Sequence, residues 1–302
     1  MRLIVYNPSG GAAIWGSRLR AALRVLQSLP GAHALVETEA RDMVGPVRRA
    51  LASHPATTQI VACGGDGTVA ACAAALDGQE GDVPIAIIPT GTTNVLAFEL
   101  GLPSNAVRAA RLVGGEMRRI PFRTWSVNGQ PMLLQLGVGF DGLLMWRTPR
   151  RVKRALGFLG VVFSALRQGV TFDYPQMRVT GELEDGTTRS VVVTSAMVAN
   201  AKRWAGPQLL IPTADPGDDL LNVLLLQYRN FPELASFWLA ILFPGAPHLR
   251  LSFVEHVPMR RLRIEALGRP VEAHLDGEPS VMTPIEVEAR GRVTLLGSSP
   301  VQ

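Results

Sequence analysis

The six residues Cys63-Gly64-Gly65-Asp66-Gly67-Thr68 set three glycines around one carboxylate and end on a hydroxyl, directly after the run Gln59-Ile60-Val61-Ala62. Two more segments of this kind follow strand-like runs: Asn7-Pro8-Ser9-Gly10-Gly11 and Pro89-Thr90-Gly91-Thr92-Thr93-Asn94. Glycine admits positive φ and close backbone approach, so successive N–H groups can converge on an anion while the next helix adds its positive end. Thr68 and Thr92 add hydroxyl donors. A carboxylate in such a loop would repel phosphate unless a divalent cation or ordered water lies between them, so Asp66 points to magnesium with ATP. Taken singly, each loop is also what any α/β fold shows where a strand turns into a helix. Three in the same relation to their strands favour the phosphate reading. No GxxxxGK[ST] occurs, which removes the standard P-loop nucleotide hydrolases.

A second chemical candidate is Asp276-Gly277-Glu278. In extended chain, carboxylates at i and i+2 face one side, and Gly277 leaves room for a ligand. The competing reading is an Asp-Gly hairpin turn between VEAHL and PSVM. A third candidate fails: Gly137-Val138-Gly139-Phe140-Asp141-Gly142 fits GxGxxG, but no acidic residue stands about 20 positions on, and Thr148-Pro149 would break the required helix. A turn from a hairpin strand into a helix near Arg150 is expected instead. Five histidines are scattered without metal-ligand spacing; His274 stands two residues before Asp276, where a structural role is the commoner outcome.

The elements that must position these groups fall into two halves. From residue 1 to about 123, short β-like runs (Arg2 to Tyr6, Ala34 to Glu37, Gln59 to Cys63, Pro84 to Ile88) alternate with helical patterns, such as the face Leu19, Ala22, Leu23, Leu26 and Leu29. Alternation of this kind specifies a doubly wound, Rossmann-like parallel sheet with helices on both faces, whose ligands sit beyond the carboxyl ends of the strands. From Thr124 onward the pattern changes to hairpins. Asn128-Gly129 and Asp185-Gly186 both favour type I′ turns, and further β-like runs reach Val293 to Leu296. The second half, 124–302, therefore reads as an antiparallel β-sandwich interrupted by helices near Arg150 to Gln168 and Pro232 to Leu242, with the last segment, 287–302, packing back on the first domain.

A chain of 302 residues with 47% hydrophobic content suits two folded domains, and a net charge of +5 favours an anionic partner. Two cysteines without paired spacing argue against disulfides and thiolate metal sites, and the four apolar residues before Asn7-Pro8 are far short of a signal peptide, so a cytoplasmic protein is expected. No apolar stretch reaches the roughly 18–20 residues that span a bilayer. Arg147, Arg150, Arg151, Lys153 and Arg154 precede the apolar run ALGFLGVVFSAL. Placed at a helix N-terminus, these cations oppose the macrodipole and call for an anion, either a membrane surface touched peripherally or plain solvent.

The set NPSGG, GGDGT and PTGTTNVLAFELGLP, continued by GVGFDG and the C-terminal DGE, resembles the catalytic domain shared by diacylglycerol kinases, sphingosine kinases and related bacterial lipid kinases. GGDGT alone also occurs in NAD kinases; the Pro89 to Pro103 pattern points to the lipid branch. The resemblance implies an ATP-dependent lipid kinase acting on a diacylglycerol-like or sphingoid-like hydroxyl, with magnesium as cofactor. It implies a nucleotide set of Asn7, Thr38, Gly64, Gly65, Asp66, Gly67, Thr68, Gly91, Thr92 and Asn94. It further implies Asp276 as the general base with Glu278 beside it, and a structural magnesium held by the Asp218 side chain and the carbonyls of Asp215 and Leu220. Asp219 in place of the usual glycine, and Val95 after the asparagine, depart from the pattern. An NAD kinase-like phosphotransferase and an inactive binding homologue are the alternatives. Nucleic acid is not expected as a partner, and a homodimer is left open.

Overall fold

The computed structural model describes residues 1–8, 13–39, 41–79, 81–148, 164–165 and 167–298. The chain forms two compact units, Met1–Phe122 with Gly291–Gln302, and Arg123–Arg290.

In the first unit, β1 (Arg2–Tyr6) pairs in parallel with β2 (His33–Glu37) and with β3 (Gln59–Gly64), which pairs in parallel with β4 (Ile85–Pro89). The last residues of β16 (Ile285–Gly297) complete the order β2-β1-β3-β4-β16 through Leu295 and Leu296 opposite Ile85 and Ala86. The order reverses between β1 and β3, so the connections leaving these two strands diverge to opposite faces and open a crevice at their carboxyl ends. One face carries α1 (Ala13–Ser28) and α5 (Ala106–Leu112): Leu19, Ala22 and Leu26 meet Ile4, Val61, Cys63 and Ile88, with Ala106, Ala109 and Ala110 beside them. On the other, α2 (Val44–Ser53) and α3 (Asp66–Leu76) pack together. Helix α3 is built of alanine, and seven of its residues are buried, including Cys72 and Ala75. Small side chains on every side let it sit close to both sheet and helix. The two thiols are buried and uncrosslinked, and burial pushes Cys72 up to about 12 and Cys63 higher still, so both stay protonated.

The second unit is an antiparallel sandwich. One layer runs from the first residues of β16 through β13 (Arg261–Ala266) and β8 (Met177–Glu182) to β9 (Thr188–Val193). The other has the order β12 (Val254–Met259), β11 (Leu221–Leu226), β10 (Ser195–Ala199), β7 (Gln135–Val138), β14 (Glu272–Leu275), β15 (Glu278–Met282). Trp125, Val179, Ile264 and Ile285 meet Leu136, Val198, Val223 and Ala273 in the core between the layers. The six-stranded layer is covered on its outer side too, by α6 (Phe140–Arg147) and α7 (Phe231–Ala240) in an aromatic core with Phe172, Trp204 and Tyr228. Its double coverage explains why β11 is buried along its whole length, whereas β8, wet on one face, alternates.

Three sequence expectations are corrected. Asn128 and Gly129 (φ 49° and 82°) form the expected type I′ turn between β5 (Arg118–Val127) and β6 (Gln130–Met132), but between β8 and β9 only Gly186 has positive φ. There the Asp185 carboxylate accepts from the Thr187 N–H and hydroxyl, which holds Asp185 in a longer loop from Leu183 to Thr187. The GVGFDG segment turns into α6 rather than into a helix near Arg150. Arg147 accordingly sits in the last turn of α6, where a cation suits the macrodipole instead of opposing it; Arg150, Arg151, Lys153, Arg154 and the following apolar run to Phe163 lie outside the described residues. Among the described residues, no helix is long and apolar enough to cross a membrane.

Candidate active site

Two of the three glycine-rich loops are interlocked at the carboxyl ends of β3 and β4. Gly65 and Gly91 lie back to back: a Cβ on Gly91 would stand 2.5 Å from the Gly65 Cα and 2.9 Å from Asn94 Oδ1. Gly64 lies under the Thr68 side chain, which leaves no room for a methyl group. The Asn94 side chain closes its own loop, accepting from Gly91 N–H at 2.9 Å and donating to Gly91 C=O at 2.7 Å, and this ring of bonds holds Asn94 in the left-handed region (φ 46°). Thr92 and Gly67 are exposed, Thr68 buried.

Asp66 joins the loops. Its carboxylate accepts from Val95 N–H and Leu96 N–H, both at 3.0 Å, and from the Thr93 hydroxyl at 3.3 Å. These are the donors at the start of the short helix α4 (Val95–Glu99), which would otherwise have no partner. The charge that seemed to require a cation is met by main-chain amides, so the inference from Asp66 to magnesium is withdrawn. Burial pushes the Asp66 carboxyl above its ordinary range, and the bonds from Leu96, Val95 and Thr93 only partly offset this. Thr38 is also placed differently from expectation: it is 1% exposed and its hydroxyl donates to Tyr6 C=O, which fastens the end of β2 to β1. Asn7 follows β1 at the same sheet edge, while Ser9, Gly10 and Gly11 lie outside the described residues.

In the second unit, Asp276 and Gly277 (φ 49° and 85°) are the two central residues of the hairpin turn between β14 and β15. The extended arrangement with both carboxylates on one side is therefore wrong: the turn separates a half-buried Asp276 from an exposed Glu278. The Asp276 carboxylate is turned back onto the β6–β7 connection. Oδ2 accepts from Leu133 N–H at 2.9 Å, and Oδ1 accepts from Leu134 N–H and Gln135 N–H at 2.8 Å each. The Asp276 N–H donates to Gln135 C=O. That connection is itself fixed by the fully buried Asn200, whose side chain donates to Leu133 C=O and Arg123 C=O and accepts from Trp125 Nε1. Nothing in the sequence marked Leu133–Gln135 or Asn200, because main-chain donors carry no residue signature.

Residues 2–124 match the family described as the diacylglycerol kinase catalytic domain, and residues 136–296 match the YegS C-terminal NAD kinase beta sandwich-like domain. The chain belongs to the bacterial lipid kinase branch of this family. It is 27% identical over 289 residues to a diacylglycerol kinase of Bacillus subtilis, covering 94% of this chain and 91% of that one. It is 30% identical over 242 residues to a "Probable lipid kinase YegS-like" protein of Pseudomonas aeruginosa, covering 77% and 73%. The chain spans only 47% of the length of an uncharacterized Synechocystis relative, at 26% identity over 205 residues. In fold it is similar to the crystal structure of a diacylglycerol kinase from Bacillus anthracis (TM-score 0.72, 22% identity, 100% of this chain and 98% of that one). A yeast NADH kinase shares the fold more distantly (TM-score 0.53, 10% identity, 99% and 84%).

For this lipid kinase-family chain, the segment Thr213 to Leu220 can be tested against a magnesium ion. Asp215 Oδ1 accepts from Gly217 N–H, and Asp218 Oδ1 accepts from Leu220 N–H. Burial, then the nearby charges of Asp215, Asp219 and Glu184, push the Asp218 carboxyl up. A cation bound here would relieve that repulsion. Among the described residues no three acidic, His or Cys side chains converge on a metal position, so main-chain carbonyls would have to supply part of the shell. Asp219, the departure from the family pattern, pairs with Arg123 at 3.2 Å.

Proposed function

We propose that this protein transfers the γ-phosphate of ATP to a hydroxyl of a lipid. The interlock of Gly64–Thr68 with Thr90–Leu96 carries the reading: it joins two loops into one rim at the carboxyl ends of β3 and β4, beside the switch point of a parallel sheet, where such folds bind nucleotides. Gly64, Gly65, Gly67, Thr68, Gly91 and Thr92 hold the phosphates, with Asn7 at the neighbouring strand end. Asp66 and Asn94 act through the loops they shape, and Thr38 through the strand end it fixes. Magnesium accompanying ATP would screen the phosphate charge, and an ion held by the Asp218 side chain and the carbonyls of Asp215 and Leu220 would fix that segment. Asp276 accepts the proton of the lipid hydroxyl as its oxygen bonds to the γ-phosphorus; the bond from that phosphorus to the bridging oxygen breaks and ADP leaves. Glu278, two residues away and exposed, lends negative charge. The acceptor's apolar body makes a lipid surface the working environment, with a cytoplasmic, phospholipid-forming role in keeping with it.

Full-length protein with labelled magnesium-ATP should phosphorylate diacylglycerol in mixed micelles or a component of a total lipid extract, read by mass spectrometry as a gain of one phosphate. Label appearing in NAD and in no lipid would sink the proposal in favour of the NAD kinase-like alternative.

A further inference from the structure

The glycines of GVGFDG serve a different structure from the one their spacing resembles. A Cβ on Gly137 would collide with Asp141 Oδ2 and His274 Nε2, and one on Gly142 with the Glu272 carbonyl; Gly139 has φ 86°. Gly137 and Gly142 bring α6 against β14, while Gly139 lies against Thr194 and Ser195. The contact made possible is a buried pair: Asp141, 2% exposed, and His274, 1% exposed, with Asp141 Oδ2 and His274 Nε2 at 2.8 Å. The other ring nitrogen, Nδ1, accepts from Gly277 N–H at 3.2 Å.

These two bonds settle the tautomer. Nδ1 must offer a lone pair to an N–H, so the ring proton is on Nε2 and is donated to the Asp141 carboxylate. His274 is thereby excluded as the proton acceptor of the reaction, being buried with both nitrogens engaged. Among the described residues, Asp141 Oδ1, also buried, has no hydrogen-bond partner. Leaving a buried carboxylate oxygen unsatisfied is costly, and an apolar pair would fill the same volume at no such cost. The arrangement is poor as a stability device and well suited to holding one geometry.

We infer that Asp141 and His274 are positioning residues that hold the Asp276–Gly277 turn, through Gly277 N–H, in the orientation from which Asp276 accepts the lipid proton. The inference rests on the reading of Asp276 as base. The turn has tethers on both sides: the β6–β7 connection grips Asp276, and His274 grips Gly277. An Asp-Gly pair adopts this turn readily, so the two tethers set where the turn sits rather than its shape.

Two substitutions separate positioning from bulk stability. In His274→Gln the amide reaches the Nε2 position and Asp141 keeps a donor, but the bond from Gly277 N–H to Nδ1 is lost. In His274→Asn the side-chain oxygen takes the Nδ1 position and Gly277 is served, but Asp141 is left unpaired. With diacylglycerol micelles and ATP, His274→Gln should lose about 10- to 100-fold in kcat with KM for ATP within about twofold, the scale of a small misplacement of a reacting group. His274→Asn should recover at least about tenfold of that loss even though it melts at a lower temperature. The opposite order, with activity following melting temperature, overturns the positioning role, as does wild-type kcat in His274→Gln. Asp276→Asn is assayed in parallel. If it keeps full turnover, or if wild-type protein phosphorylates no lipid, the reading of the base fails and takes this inference with it. An inactive Asp276→Asn beside a fully active His274→Gln removes the inference alone.

Discussion

Asp66 and Asp276 sit in different units and use the same device. Each carboxylate accepts N–H groups from consecutive residues of a distant segment: Val95 and Leu96 for Asp66, Leu133 to Gln135 for Asp276. They differ in what the grip fixes. Asp66 is a helical residue at the start of α3, and its bonds tie one loop to another, so its charge is spent on architecture. Asp276 is in a left-handed turn whose position is set from two sides, so the grip fixes the residue itself. The same chemistry ties two loops together in one place and fixes the proposed base in the other.

Breaking the Asp276 side should produce the largest effect. Asp276→Asn keeps the size but removes the base, and kcat should fall by about 10²–10⁴-fold while ATP affinity stays within about threefold, measured by steady-state kinetics and calorimetric titration. Asp66→Ala should show the reverse emphasis. Two N–H groups at the start of α4 lose their acceptor, a loss of about 2–4 kcal/mol from the first unit, seen as a lower melting temperature together with weakened ATP binding. Gly91→Ala probes the same rim without touching charge. The added methyl would meet the Gly65 backbone, so ATP affinity should drop by about tenfold, an amount worth about 1.4 kcal/mol; Gly268→Ala, with nothing within 4 Å of the new methyl, is the control.

The smallest effect is a pH dependence. Burial raises the Asp66 carboxyl above its ordinary value of 3.8, so the folded protein holds that proton more tightly than the unfolded chain does. Its stabilising contribution is then complete below that value and lost as pH rises through the raised one. The difference in melting temperature between wild type and Asp66→Asn should shift against the wild type over that rise, and a difference that moved in the wild type's favour would refute the assignment. No such trend is expected from the Gly91→Ala protein relative to wild type.

Much of this was legible in sequence where the signal is local. Four of the five strands of the parallel sheet lie within a residue or two of the expected runs, because a buried parallel strand is a short continuous apolar stretch. Asn128-Gly129 forms the turn its two residues prefer, whereas Asp185-Gly186 does not, because the Asp185 side chain finds a nearer partner in Thr187. The last strand was legible only as Val293 to Leu296; its earlier part is mostly polar on one face and runs from Ile285.

The sequence by itself determined where the loops, turns and carboxylates stand along the chain, since positive φ, apolar periodicity and turn chemistry are properties of a few neighbouring residues. Only the tertiary structure decided what each carboxylate faces. Asp66 finds its partners 29 and 30 residues on, and Asp141 finds His274 across 133 residues. A main-chain amide looks the same at every position of a sequence, and folding alone selects which one a carboxylate meets.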